Sequence, residues 1–177
     1  MNLIAKALGV SRIIGLALLM LLGHSAQSSA EIRTFNGGLS LQKYGSGEFK
    51  RFGFLVYEAQ LWAASNPAEP PLALQLTYKR DIAGSKIVSA SVDQMRALGA
   101  DDQRLEKWSG AMSRIFPDVK PGDQIVGIYR PGKAVFLYNN QEIGQINDVD
   151  FARFFFGIWL DPRTSEPRLR QRLLEGA

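Results

Sequence analysis

The sequence predicts an α+β protein, an antiparallel sheet with helices packed on one face. Two observations carry this. The hydrophobic period changes along the chain from about two residues to about 3.6 and back. The changes sort the chain into blocks: strands, two helices, a three-strand meander, then two more helices. Strands joined by tight turns pair antiparallel, and helices gathered in blocks layer onto one face of the sheet.

Residues 1–30 stand apart. Lys6 and Arg12 precede the apolar run Ile13 to Gly23, which is shorter than the roughly 20 residues of a helical span. The polar, small "HSAQSSA" follows, with Ser28 and Ala30 placed for a signal peptidase. This is the pattern of a secretory signal peptide cleaved after Ala30, with retention as an anchor as the rival. The expectation is an exported, periplasmic protein whose single domain runs over 31–177.

Within that domain "LSLQKYG" reads as a short strand, and Phe49 to Ala63, rich in aromatic and β-branched residues, as one or two more. The prolines of Asn66 to Pro71 mark a loop. "LALQLTYKR" alternates, with Leu72, Leu74, Leu76 and Tyr78 facing one way, as in a sheet with one face buried. Ser85 to Leu98 carries Val88, Val92 and Met95 at helical spacing, and Gly99 follows. Asp101 caps a second helix with the stripe Leu105, Trp108, Met112, Ile115 and Phe116, closed by Pro117. The meander follows, turning at Pro131-Gly132 and at Asn139-Asn140. Asp148 or Asp150 then caps a helix whose apolar face is Phe151, Phe154, Phe155, Ile158 and Trp159, with Phe156 and Leu160 off that stripe. Asp161-Pro162 ends it. Ser165 caps a last helix, with Leu169, Leu173 and Leu174 inward and the basic residues of "RLRQRLL" as its solvated face.

Composition excludes several chemistries. The chain has no cysteine, and its one histidine, His24, lies in the signal segment. Catalytic triads, Cys-His dyads and zinc sites with His or Cys ligands are therefore absent from residues 31–177. No cofactor or metal motif is present. The formal charge of +4 includes Lys6 and Arg12, so the remainder is too weakly basic to suggest nucleic acid.

The strings Gly45 to Trp62, Trp108 to Gly144 and Phe154 to Leu174, with "IFPDVKPGD", "GIYRPG" and "FFGIWLDP" inside them, resemble the bacterial chalcone isomerase-like proteins. These are exported relatives of plant chalcone isomerase and of the plastid fatty-acid-binding proteins. The resemblance covers nearly all of residues 31–177. It implies an open-faced β-sandwich with a cleft between sheet and helices. In the enzymes of that fold an arginine follows Gly-x-Gly and stabilises negative charge on the substrate. In the binding branch the same arginine, with a tyrosine on the next strand, holds a carboxylate. Here Gly45-Ser46-Gly47 matches the glycines, Phe49 stands at the arginine position, and Tyr57 matches the tyrosine. Loss of a charge-stabilising group costs orders of magnitude in rate, so the resemblance points away from catalysis.

The expectation is a binding protein for a small hydrophobic ligand such as a fatty acid. Tyr57 fixes the polar end. Arg51, which shares the face of Phe49 in a strand, is the substitute cation. Phe49, Trp108 and Phe155, on one edge of the aromatic helix, line the apolar part. Two rivals stay open: an isomerase or intramolecular lyase with an altered site, and a structural or chaperone-like protein without a small ligand. Peripheral association with a membrane or lipid is compatible with the first reading, and the oligomeric state is not legible.

Overall fold

The computed structural model describes residues 31–175, Asn36 and Ala68 excepted. The signal-peptide expectation falls on 1–30, outside the described residues. Seven antiparallel strands form one sheet in sequence order: β1 Ile32–Phe35, β2 Leu39–Arg51, β3 Phe54–Ala63, β4 Leu72–Tyr78, β5 Gln124–Arg130, β6 Lys133–Tyr138 and β7 Gln141–Ile146. Helices α1 Gly84–Ala97 and α2 Asp102–Ser113 sit between β4 and β5, and α3 Val149–Leu160 and α4 Pro167–Leu174 follow β7. The sheet is curled, with its helices on one face, the open-faced sandwich that the resemblance implied.

The first strands go beyond the sequence reading. β1 precedes "LSLQKYG" and pairs with it. β2 runs unbroken from that stretch through the Gly-x-Gly motif to Arg51, and the reversal falls at Phe52-Gly53. An extra residue at Tyr44 interrupts the β2 ladder. A bulge of this kind exchanges the faces: Leu41 joins the outer cluster, while Gly45 and Gly47 lie beneath α4.

The outer face is not simply solvated. Phe35, Leu41, Trp62, Val126, Ile128 and Leu137 form a second buried cluster there. The curl and β1 cover it. Arg33 reaches across to donate to Gln75 Oε1 and to Asn140 Oδ1, and its guanidinium lies 4.9 Å from the Phe35 ring centre and 5.9 Å from that of Trp62. Alternation in β4 therefore understates its burial: Ala73 and Gln75 are buried as well as the leucines.

Of the three helix caps that the sequence predicts, two are made and one is not. Asp101 accepts from Arg104 N at α2, and Asp148, not Asp150, accepts from Phe151 N at α3. At α1 the cap comes from a distance: Asp118 Oδ1 accepts from Gly84 N at 2.8 Å. Ser165 does not cap α4; Glu166 holds that position without a side-chain bond, and Ser165 Oγ donates to Gln94 Oε1 of α1. α3 is buried almost all round. Phe156, expected off the stripe, is 1% exposed and stacks on Tyr129 with ring centres 5.0 Å apart. Gly127 beneath it leaves room for the ring.

The Gly-x-Gly motif seats α4. A Cβ on Gly45 would lie 2.4 Å from the Leu173 carbonyl oxygen and 2.5 Å from that of Arg172. On Gly47 it would lie 2.7 Å from Leu169 Cδ1, the far end of a flexible side chain. Gly45→Ala is therefore expected to destabilise by about 1–3 kcal/mol, the usual cost of overpacking, and Gly47→Ala by less. Urea denaturation of the two variants checks this; equal losses would mean that the backbone of α4 is not the obstacle.

Candidate functional site

Between the sheet and the helices lies a cleft of about 480 Å³, within the roughly 300–1,000 Å³ of small-molecule sites. Its floor is a row of aromatic rings from three neighbouring strands. Register places Phe49 opposite Tyr57, and Tyr57 opposite Tyr78. Phe49 stacks on Tyr57 with ring centres 4.9 Å apart, and Tyr57 meets Tyr78 edge-on at 6.0 Å. Ile87 and Ala90 of α1 and Phe155, Ile158 and Trp159 of α3 supply the facing walls. The apolar walls favour a ligand with a large hydrophobic part.

The polar groups are few and differ by depth. Trp159 Nε1 donates to the Tyr57 hydroxyl oxygen at 3.0 Å. That bond fixes the phenol and leaves its own proton to donate. Burial pushes the Tyr57 pKa well up, against the Trp159 bond, which lowers it, and Glu166 adds a smaller upward push. Burial also raises Tyr78, with Tyr57 as the second cause. Both phenols therefore stay protonated through the ordinary pH range and act as neutral donors. Ser91 Oγ is committed to Ile87 O, and Gln94 Oε1 to Ser165. Lys50, Arg51 and Lys86 line the cleft as exposed residues at its mouth, and the half-buried Glu166 lies among its lining residues.

Of the residues singled out from sequence, Phe49, Tyr57, Arg51 and Phe155 meet at this cleft. Arg51 is placed at the rim, its guanidinium 5.5 Å from the exposed ring of Phe52, not on the floor. Trp108 is a correction. It is 1% exposed, packs against Phe151 and Phe154, and its Nε1 donates to Asp148 Oδ2 at 3.1 Å. It ties α2 to the start of α3 and does not line the cleft. Sequence pattern alone does not assign Tyr78 or the α1 wall to the cleft. Tyr78 had a signal: it continues the inward parity of Leu72, Leu74 and Leu76, but only the register with Tyr57 brings it to the floor.

The strings that carry the resemblance are brackets for this architecture. "IFPDVKPGD" supplies Asp118, which caps α1, and Asp123, which accepts from Tyr138 Oη, Asn139 Nδ2 and Lys120 N. "FFGIWLDP" supplies Trp159 for Tyr57, and Asp161, which pairs with Arg163.

A curled antiparallel sheet, helices on one face and an apolar cleft between them define a sheet-and-helix protein of the chalcone isomerase-like fold. The chain belongs to the chalcone isomerase-like family, whose model matches residues 27–175. A fatty-acid binding protein of Arabidopsis thaliana shares the fold, with a TM-score of 0.56 over 82% of this chain and 96% of that one at 14% identity. An uncharacterized protein of Haemophilus influenzae is 28% identical over 136 residues, 75% of this chain and 67% of its own length.

Proposed function

We propose that this protein is an exported, single-domain, non-catalytic binder of a hydrophobic ligand, of which a fatty acid is the leading example. One observation carries the reading: the cleft is walled by apolar side chains, and its deep polar groups are two neutral phenols and the Ser91 hydroxyl, which is committed to Ile87 O. Tyr57, held by Trp159, donates to a carbonyl or carboxylate oxygen of the ligand. An anionic group also finds Lys50, Arg51 and Lys86 at the mouth. Phe49, where the resemblance puts the arginine of the enzymes, stacks on Tyr57 and extends the apolar floor. It holds no charge, which is why catalysis of the chalcone isomerase type is not proposed. The fatty-acid binding protein of the same fold makes such a ligand a natural first choice to test.

The test is displacement of a fluorescent fatty acid from the purified protein, with native mass spectrometry of what it carries. Saturable binding is expected. Tyr57→Phe removes one ligand hydrogen bond, worth about 0.5–1.5 kcal/mol, and is expected to weaken binding by about 2–12-fold. A protein that carries nothing and takes up no added fatty acid or lipid defeats the proposal.

A further inference from the structure

The β2–β3 hairpin breaks a local rule at its tip. Phe52 and Gly53 both have positive φ, 51° and 81°, the pattern of a type I′ turn, which favours Asn-Gly or Asp-Gly. A phenylalanine there is conformationally costly. The same chain turns β6 into β7 with Asn139 and Asn140, at φ 47° and 71°, and there both side chains also bond within the fold. Packing does not compensate at Phe52. Its side chain is 86% exposed, and Phe54 beside it is 60% exposed. A strained residue left in solvent, with only the Arg51 guanidinium over its ring, points to function outside the fold.

The surroundings select the partner. Arg51 lies over Phe52 and Arg80 over Phe54, at 5.5 and 4.7 Å from the ring centres. Glu48 and Glu58 are each matched by a lysine, Lys50 at 2.6 Å and Lys79 at 3.0 Å. The segments 48–58 and 78–82 that carry the two rings hold Lys50, Arg51, Lys79 and Arg80 against Glu48, Glu58 and Asp81, one positive charge in excess. Exposed aromatic rings flanked by arginines suit the headgroup region of a bilayer, where rings enter the apolar boundary and cations meet anionic lipid.

We propose that the Phe52–Phe54 hairpin tip docks on an anionic membrane surface. Lys50 and Arg51 of the same hairpin line the mouth of the cleft, so docking brings the mouth to the bilayer. A membrane-dissolved ligand then passes into the cleft without crossing water; this last step rests on the binding function proposed above, whereas docking itself does not.

Co-sedimentation of the protein comprising residues 31–177 with vesicles of phosphatidylglycerol and phosphatidylcholine tests it. Binding is expected with anionic vesicles, weaker with pure phosphatidylcholine, and reduced by salt. Phe52→Asn gives the turn its preferred residue, so folding stability should hold or rise while vesicle binding falls about tenfold or more. Arg80→Gln, away from the cleft, should cost about fivefold on anionic vesicles alone. Uptake of a soluble fluorescent fatty acid, measured without vesicles, should be unchanged in Phe52→Asn. Equal vesicle binding by wild type and Phe52→Asn overturns the proposal. So does an absence of vesicle binding, including the case in which sedimentation shows self-association that Phe52→Asn abolishes. Failure of the soluble uptake assay alone removes the binding function and leaves docking standing.

Discussion

Replacing Phe156 by alanine is expected to cost about 3–5 kcal/mol, the range for truncating a buried aromatic ring. The ring is stacked on Tyr129, set edge-on to Phe155 at 5.5 Å, and seated over Gly127. Truncation leaves a void between α3 and β5, both braced by other contacts and so slow to collapse. The measurement is the urea midpoint at constant m-value. Gly127→Ala provides a coupled control. Its Cβ would lie 3.2 Å from Phe156 Cζ and 3.5 Å from Phe136 Cε1, so the strain it adds falls mainly on Phe156. That cost should shrink sharply in the Phe156→Ala background. Additive losses would show that the ring does not rest on Gly127, and a loss below about 1 kcal/mol would remove Phe156 from the core.

Phe156 also shows why part of the fold was legible and part was not. A periodic stripe records which face of a helix meets one neighbour. α3 meets the sheet, α1 and α4 together, so residues off the main stripe are buried as well. The same limit applies to the outer face of the sheet. Alternation in β4 gave the inward residues correctly, but curvature, which buries Trp62 and Val126 on the other side, leaves no mark on the local pattern. Asp118 could not be read as a cap because it lies 34 positions from Gly84.

The cleft was half legible for a related reason. Phe49 and Arg51 share a face by simple alternation, and no extra β2 residue intervenes between them. Tyr57 was named through the family resemblance. Tyr78 is opposite Tyr57 only because β3 and β4 pair in that register, which alternation alone leaves free by two residues. Trp108 failed for the opposite reason. Its helical spacing is correct, but a buried tryptophan N–H usually takes an acceptor, and Trp108 takes Asp148, the cap of α3, outside the cleft.

Asp148 is where the second large effect is expected. Its Oδ1 accepts from Phe151 N and its Oδ2 from Trp108 Nε1. Lys107 Nζ also reaches Oδ2 at 2.9 Å, and because that lysine is mostly exposed, solvent screens the pair. Asp148→Ala removes the cap of α3 and leaves a buried indole N–H without its acceptor, a combined loss of about 2–4 kcal/mol. Asp148→Asn separates the two roles. Its amide oxygen can still cap α3, while its amide nitrogen cannot accept from Trp108, so it should lose less. The acid limb provides a second readout. Burial pushes the Asp148 pKa up, but the bonds from Phe151, Lys107 and Trp108 outweigh it and hold the group at about 2, below its ordinary 3.8. A carboxyl depressed on folding stabilises fully above its unfolded pKa and loses that contribution as pH falls toward the folded one. Wild type should therefore lose stability between about pH 4 and pH 2 more steeply than Asp148→Asn, which has no proton to gain there. Chemical denaturation at pH 7 and at pH 3 measures both terms, and the Trp108 indole proton shift in NMR reports the bond directly. Parallel acid limbs in the two proteins would show that the fold does not hold the Asp148 carboxyl below its ordinary pKa, and an indole proton shift unchanged in Asp148→Asn would show that Trp108 finds its acceptor elsewhere.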